Sequence, residues 1–398
     1  MAESAAALVI VGGGPTGHAA AKAYRAAGGS GRVVLISEDT APPYNRPPLS
    51  KDFLRGESSE DELPLEPPSF YRDLHVELLL ADAVTAVDQV GHTVSTRSGE
   101  RISYHTCILA TGCEPSRLDV PGAGRALQLR WLDQARELRE RAQTARSAVV
   151  VGSGFIGCEA ALSLARRGLR VTMVSPEAGP QERRLGTAAS TLISGWLEGA
   201  GVEILRTSKV VDIADGTVRL SDGAVLSTDL VLAAVGVQPR IELAEKLGAR
   251  LRDGRIVVDE HMRTSVPDVL AAGDVVMAYN AGAHRHLAVE HWGEAERMGE
   301  IAGTTAAGGD DEWSNPPGFW SEIGDHTLKY AAWGDGFDEA VPVHHDNGGL
   351  TVWYLQDGAT VGVLTSGADD DYDRGQELVA AGAPAPTEPG RAATTSNG

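Results

Sequence analysis

Two stretches of the 398-residue chain, about 140 residues apart, repeat one arrangement. Each has a short apolar run, then glycines spaced Gly-x-Gly-x-x-Gly, then Ala-rich helical sequence. The first is Leu8–Val11 followed by Gly12, Gly14 and Gly17, with Pro15 and Thr16 between the last two. The second is Val149–Val151 followed by Gly152, Gly154 and Gly157, with Phe155 and Ile156 between. In such a motif the first glycine allows a tight turn, the second lets the backbone approach a pyrophosphate, and the third lets the helix pack on the strand. The first helical N–H groups then face the phosphates, where the helix dipole favours negative charge. Glu38 follows a second apolar run, Val33–Ile36, about 20 residues beyond the first motif, where a carboxylate can accept ribose hydroxyls. One motif alone is weak evidence. Two argue for an α/β chain that binds two dinucleotides.

Composition narrows the partners. The length suits two or three domains. The net charge of −20 argues against nucleic acid, whose recognition rests on neutralising phosphates, and against an anionic membrane surface. Cys107, Cys113 and Cys158 have no CxxC spacing, so neither a disulfide framework nor a metal site is indicated. No run is long and apolar enough to span a membrane and no secretory leader is evident, so a cytoplasmic location is expected.

Between the motifs lies Pro43-Tyr44-Asn45-Arg46-Pro47-Pro48-Leu49-Ser50-Lys51, a proline-stiffened loop with two fixed cations. By spacing alone it is equally a rigid linker or a cationic wall beside a phosphate site, with Ser50 a candidate cap for a helix near Asp52. The loop resembles the flavin-loop signature Pro-Tyr-x-Arg-Pro-Pro-Leu-Ser-Lys of the FAD-dependent NAD(P)H:ferredoxin and rubredoxin reductases. That family includes oxygenase-coupled ferredoxin reductases and relatives of apoptosis-inducing factor. The resemblance implies that Arg46 and Lys51 lie against the flavin. It also implies that Val84 offers its backbone to the adenine and that Arg130, near the start of a stretch 127–146 expected to be helical, touches FAD.

Further segments match in order. Ala110-Thr111-Gly112 resembles the turn that closes the FAD domain, and Gly236 lies in the paired turn that returns to it. Phe155-Ile156-Gly157-Cys158-Glu159 resembles Gly-Phe-Ile-Gly-x-Glu, which maps Glu159 to the nicotinamide site and implies an ion pair with Lys51 near flavin N5. The run from Thr264 to Gly273-Asp274 resembles the second FAD motif, whose Asp binds a ribityl hydroxyl. Glu290-His291-Trp292 opens a helix whose N-terminus would face the flavin N1 and C2 carbonyl, with His291 read as a core or capping residue. Phe319-Trp320-Ser321-Glu322 is similar to Phe-Trp-Ser-Asp, whose Trp lies near the flavin. One departure stands out. After Val171–Val174 an NADH-type site has an acid, but Ser175 stands there, with Glu177 and Arg183 following. An Arg can accept the 2′-phosphate of NADPH, so the donor is left as NADH or NADPH.

The resemblance implies two Rossmann-like domains of glutathione-reductase type plus a small α/β C-terminal domain. A discontinuous FAD domain is expected over 1–113 and 242–310, an NAD(P) domain over 114–241, a C-terminal domain over 311–380 and a disordered tail over 381–398. It implies hydride transfer from nicotinamide C4 to flavin N5 at near-contact, about 3–3.5 Å, with Lys51 and Glu159 as the catalytic pair. Electrons would then leave singly to a ferredoxin-type acceptor that serves a monooxygenase or other oxygenase. A stand-alone NAD(P)H oxidase or quinone reductase, and a redox-sensing flavoprotein, are the alternatives; the oligomeric state is left open. An acidic ferredoxin would need a local basic patch, for which Arg136–Arg146, Arg166–Arg170 and Arg183–Arg184 are candidates.

Overall fold

The computed structural model describes residues 5–386. The chain forms two compact units. One comprises the residues up to Arg46, Ser59–Glu114 and Val237–Asn315; the other comprises Pro47–Ser58, Pro115–Gly236 and the described residues from Pro316 onward. The proline-rich loop is thus divided. Arg46 stays with the first motif, whereas Ser50 and Lys51 pack within the second unit.

In the first unit, strands run in the order Val76–Leu79, Val33–Ile36, Ala6–Val11, Arg101–Leu109, Thr93–Thr96, Val84–Asp88. The first four are parallel, the last two add antiparallel, and Val269–Ala271 also pairs parallel with Arg101–Leu109. Parallel strands covered on both faces read as continuous apolar runs. Leu8, Ile10, Val34, Leu35, Cys107 and Ile108 are accordingly fully buried. Helices Pro15–Ala26 and Trp292–Ala306 pack so closely that side chains are excluded at the contact: a Cβ on Gly299 would lie 2.3 Å from the Thr16 carbonyl oxygen, and one on Gly303 2.3 Å from that of Ala20.

In the second unit a parallel sheet runs Glu203–Leu205, Arg170–Val174, Ser147–Val151, Leu230–Ala233. A five-stranded antiparallel sheet follows over Gly318–Ser366, closed by helix Asp369–Ala381. Helix Phe155–Arg166 shares one core with both sheets: Cys158, Leu162 and Leu164 cluster with Val150 and Met173 and with Ile323, Leu328 and Leu364. The helix expected over 127–146 begins only at Leu132, because the Gln134 side chain accepts the backbone N–H groups of Arg130 and Trp131 (2.9 and 3.3 Å) and fixes the start there. The tail is ordered further than expected. Ala383 accepts a backbone hydrogen bond from Thr360 (2.8 Å), and Ala385 packs on the C-terminal core. Residues 387–398, the rest of the expected disordered segment, lie outside the described residues.

Candidate functional site

The two glycine motifs fold into the same shape, with one division of labour. Gly12 has φ +127° and Gly152 has φ +106°, a region open to glycine. A Cβ on Gly12 would also strike the Ala110 carbonyl oxygen at 2.1 Å, and one on Gly152 that of Ala234 at 2.2 Å. Gly17 lies against the Gly12 carbonyl (2.0 Å for an added Cβ) and Gly157 against that of Gly152 (2.3 Å). The protein itself therefore demands the first and third glycines. It does not demand the second. Gly14 is extended, and an added Cβ would meet only Arg46, at 3.7 Å. Gly154 is also extended, and its Cβ would meet only Gln181, at 3.8 Å. Neither following helix has a side-chain cap or an acidic residue in its first turn. Open space before an uncapped, acid-free helix N-terminus fits a dinucleotide diphosphate. At the first cradle the Arg46 guanidinium adds a positive charge.

The remaining first-unit residues fall on several elements. Gly273, with φ +81°, follows strand Val269–Ala271 and lies so close to Thr16 that a Cβ would be 2.3 Å from its hydroxyl. Asp274 thus sits beside the helix start, its carbonyl accepting from Arg255 and from the Cys113 thiol (3.5 Å). Glu38 is half-buried and ion-paired with Arg240. That arginine is set by the Ala110-Thr111-Gly112 turn. The Arg240 N–H donates to the Gly112 carbonyl (2.9 Å) and Thr111 Oγ1 donates to the Arg240 carbonyl (2.8 Å). The turn therefore positions the charge partner of Glu38, a role that local sequence did not reveal. Glu290 is paired with Arg255. His291 is the N-cap residue of helix Trp292–Ala306, and Val84 begins an edge strand opposite Thr96.

The second unit holds a buried charge pair. Lys51 Nζ lies 3.2 Å from Glu159 Oε2, with Lys51 and Glu159 only 7% and 4% exposed. Ser50 Oγ donates to the same oxygen (2.5 Å), and Ser321 Oγ donates to Oε1 (2.6 Å). Ser50 is thus not the expected helix cap. Lys51 holds the N-cap position of Asp52–Arg55 without a side-chain bond, and the Ser50 hydroxyl is spent on the carboxylate. The Ser50 carbonyl is anchored by Ser163 Oγ (2.8 Å), so helix Phe155–Arg166 grips the loop at two points. Three donors around one carboxylate offset the cost of burying it. Trp320, next to Ser321, is about half exposed, Ile156 is exposed, and the Gly236 carbonyl accepts from the Ser116 N–H (2.9 Å).

One expectation needs correction. Ser175 does not hold the position matched to Glu38: it is fully buried, its hydroxyl bonded to Ser153 Oγ (2.7 Å) and to the Glu177 N–H (3.1 Å). The strand register explains the error. Val11 pairs with Ile36 and Val151 with Val174, so the position matched to Glu38 is Pro176. No carboxylate stands there, and Glu177 accepts the Arg183 N–H (3.1 Å). Three arginines of the candidate basic stretches are ion-paired within the unit. Arg136 pairs with Asp133, Arg141 with Glu137 (2.7 Å), Arg166 with Asp325 (2.6 Å). Arg139 and Arg184 lie over the Phe53 and Phe319 rings, and burial together with Arg139 lowers the pKa of Arg167. Arg183 is exposed.

A family model described as pyridine nucleotide-disulphide oxidoreductase matches residues 6–299. The chain belongs to that family. A second, described as reductase C-terminal, matches residues 318–395. Among curated relatives, a rubredoxin-NAD(+) reductase of Pseudomonas putida is 33% identical over 81% of this chain and 86% of its own. A 5,5'-dehydrodivanillate O-demethylase ferredoxin reductase subunit of Sphingobium is 33% identical over 94% and 93%. Among solved structures, a ferredoxin reductase for the CYP199A2 system from Rhodopseudomonas palustris is 30% identical, covers 95% of both chains and superposes with a TM-score of 0.90. Like them, this family member is an FAD-dependent NAD(P)H oxidoreductase.

The family description includes disulphide chemistry, but this member's thiols are poorly placed for it. Cys107, Cys113 and Cys158 are all buried. Burial pushes the Cys107 thiol up to about 12, and burial with the neighbouring Glu159 pushes Cys158 higher still. The thiolate is the reactive form. The native protein should therefore resist thiol-specific alkylation at pH 8 and keep its NAD(P)H-dependent activity. Stoichiometric labelling with loss of activity would restore a redox cysteine.

Proposed function

We propose that this protein takes hydride from NADH or NADPH and delivers electrons singly to a ferredoxin-type iron–sulfur protein that serves an oxygenase, in the cytoplasm. One observation carries the reading. The chain combines two dinucleotide cradles and a buried Lys–Glu pair with no accessible thiol, so electrons entering from a nicotinamide have no dithiol through which to leave. The full-length likeness to reductases named for rubredoxin and ferredoxin supports the class of acceptor, as does a TM-score of 0.89 to putidaredoxin reductase solved as a covalent complex with putidaredoxin, at 28% identity.

When bound, FAD supplies two-electron uptake and one-electron release. The chain supplies binding, orientation and charge. Backbone N–H groups after Gly14 and Gly154 hold the two diphosphates, and Arg46 adds a cation at the first. Glu38, fixed by Arg240, accepts ribose hydroxyls. The N-terminus of helix Trp292–Ala306 favours negative charge by roughly 0.3–2 kcal/mol. Lys51 and Glu159 orient the nicotinamide. With Pro176 rather than an acid at the matched position, the second cradle has no carboxylate there to repel a 2′-phosphate.

The test is steady-state turnover with a purified [2Fe–2S] ferredoxin against small quinones and dioxygen. The expected kcat/KM for ferredoxin exceeds that for a quinone by about 100-fold, roughly 2.7 kcal/mol of discrimination. Equal or faster quinone turnover would favour the stand-alone reductase. A long-lived reduced-flavin–nicotinamide complex with no acceptor turnover would favour a sensor.

A further inference from the structure

The ion pair of Lys51 with Glu159 is made at Oε2, and Oε1 accepts from Ser321, from the C-terminal sheet. Ser321 sits in a row that otherwise faces the core. On strand Gly318–Ile323, Phe319, Ser321 and Ile323 are 8%, 2% and 0% exposed, while Trp320 between them is 52% exposed. A hydroxyl among Phe and Ile costs free energy unless it is bonded. Packing alone would be met better by Ala or Val. Its bond to Glu159 Oε1 joins residues 162 apart in sequence. A carboxylate end turns easily, because its terminal torsion is broad. With Lys51 and Ser50 both on Oε2, a donor on Oε1 is what fixes the carboxylate plane.

We propose that Ser321 is a positioning residue for the nicotinamide half-reaction: the C-terminal sheet sets the plane of the Glu159 carboxylate through this hydroxyl. The inference deepens the proposed function and rests on its placement of Glu159 at the nicotinamide. The C-terminal domain then takes part in the reductive half-reaction.

The experiment compares FAD-loaded Ser321→Ala, Ser321→Thr and Glu159→Gln with the unmodified protein. Anaerobic stopped-flow reduction by NAD(P)H gives the limiting rate. Calorimetric titration of the oxidised protein with NADP+ or NAD+ gives the dissociation constant, and thermal melting reports the fold. Ser321→Ala should lower the limiting rate about tenfold, less than the loss from a grossly misplaced group, with nucleotide affinity and flavin content nearly unchanged. Ser321→Thr, which keeps the hydroxyl, should recover most of the rate. An unmodified rate in Ser321→Ala overturns the proposal while Glu159→Gln is slow. Equal slowing in Ala and Thr variants, each with a lowered melting temperature, overturns it in favour of packing. An unmodified rate in Glu159→Gln removes the underlying reading, and the inference with it.

Discussion

Gly14→Val should give a folded but colourless protein. Gly14 is extended, a conformation that Val adopts readily, and an added Cβ meets nothing closer than Arg46 at 3.7 Å. The space that the side chain would fill lies in front of the first helical N–H groups, where the diphosphate must approach. FAD affinity should fall by at least about 100-fold, roughly 2.7 kcal/mol. The variant should melt close to flavin-stripped unmodified protein, since only the stabilisation due to bound ligand is lost. Gly17→Ala makes the contrast. Its Cβ would lie 2.0 Å from the Gly12 carbonyl oxygen, so strand and helix must separate and the apoprotein itself should melt lower. The flavin-to-protein absorbance ratio and the two melting temperatures decide the matter. A Gly14→Val protein that stays fully yellow would show that the diphosphate does not sit there.

The contrast between these glycines also marks what could be read from sequence. A strand–turn–helix with three spaced glycines is local, so both cradles were legible, as was the order of segments through Asp274. Glu38 was placed correctly after its strand, but its partner Arg240 comes from about 200 residues away and carries no local signature. Ser175 was misread because counting from the strand end cannot register one motif on the other; the pairing of Val151 with Val174 does. The ion pair of Arg166 was not legible because sequence shows a charge but not its partner, and Asp325 is distant in sequence. Ser50 was read as a helix cap, and Ser321 was quoted as part of a motif without a task. Their common target, Glu159, becomes apparent only when the loop, the helix and the C-terminal strand are brought together.

Lys51 and Glu159 should behave as one unit. Each is nearly excluded from water, and their charges lie 3.2 Å apart. Lys51→Met leaves the Glu159 charge with hydroxyl donors alone. Glu159→Gln leaves a buried ammonium facing a neutral amide, with the Pro47 carbonyl (3.2 Å) among its remaining acceptors. Removing one partner of a buried pair costs about 3–5 kcal/mol, because the other charge remains buried. Removing both leaves no such orphan. Melting temperatures should therefore fall in each single variant and recover in part in the double. The rate of flavin reduction should fall about 100-fold in each single variant, the scale of a misplaced reacting group, while flavin content stays near the unmodified value. In the double variant it should fall little further, giving a coupling of about 1–3 kcal/mol. Stopped-flow reduction of all four proteins at saturating NAD(P)H measures that coupling directly. Strictly additive losses would mean that the two side chains act separately on the nicotinamide despite their contact, and the pair would then be a structural ion pair rather than the hydride-site device.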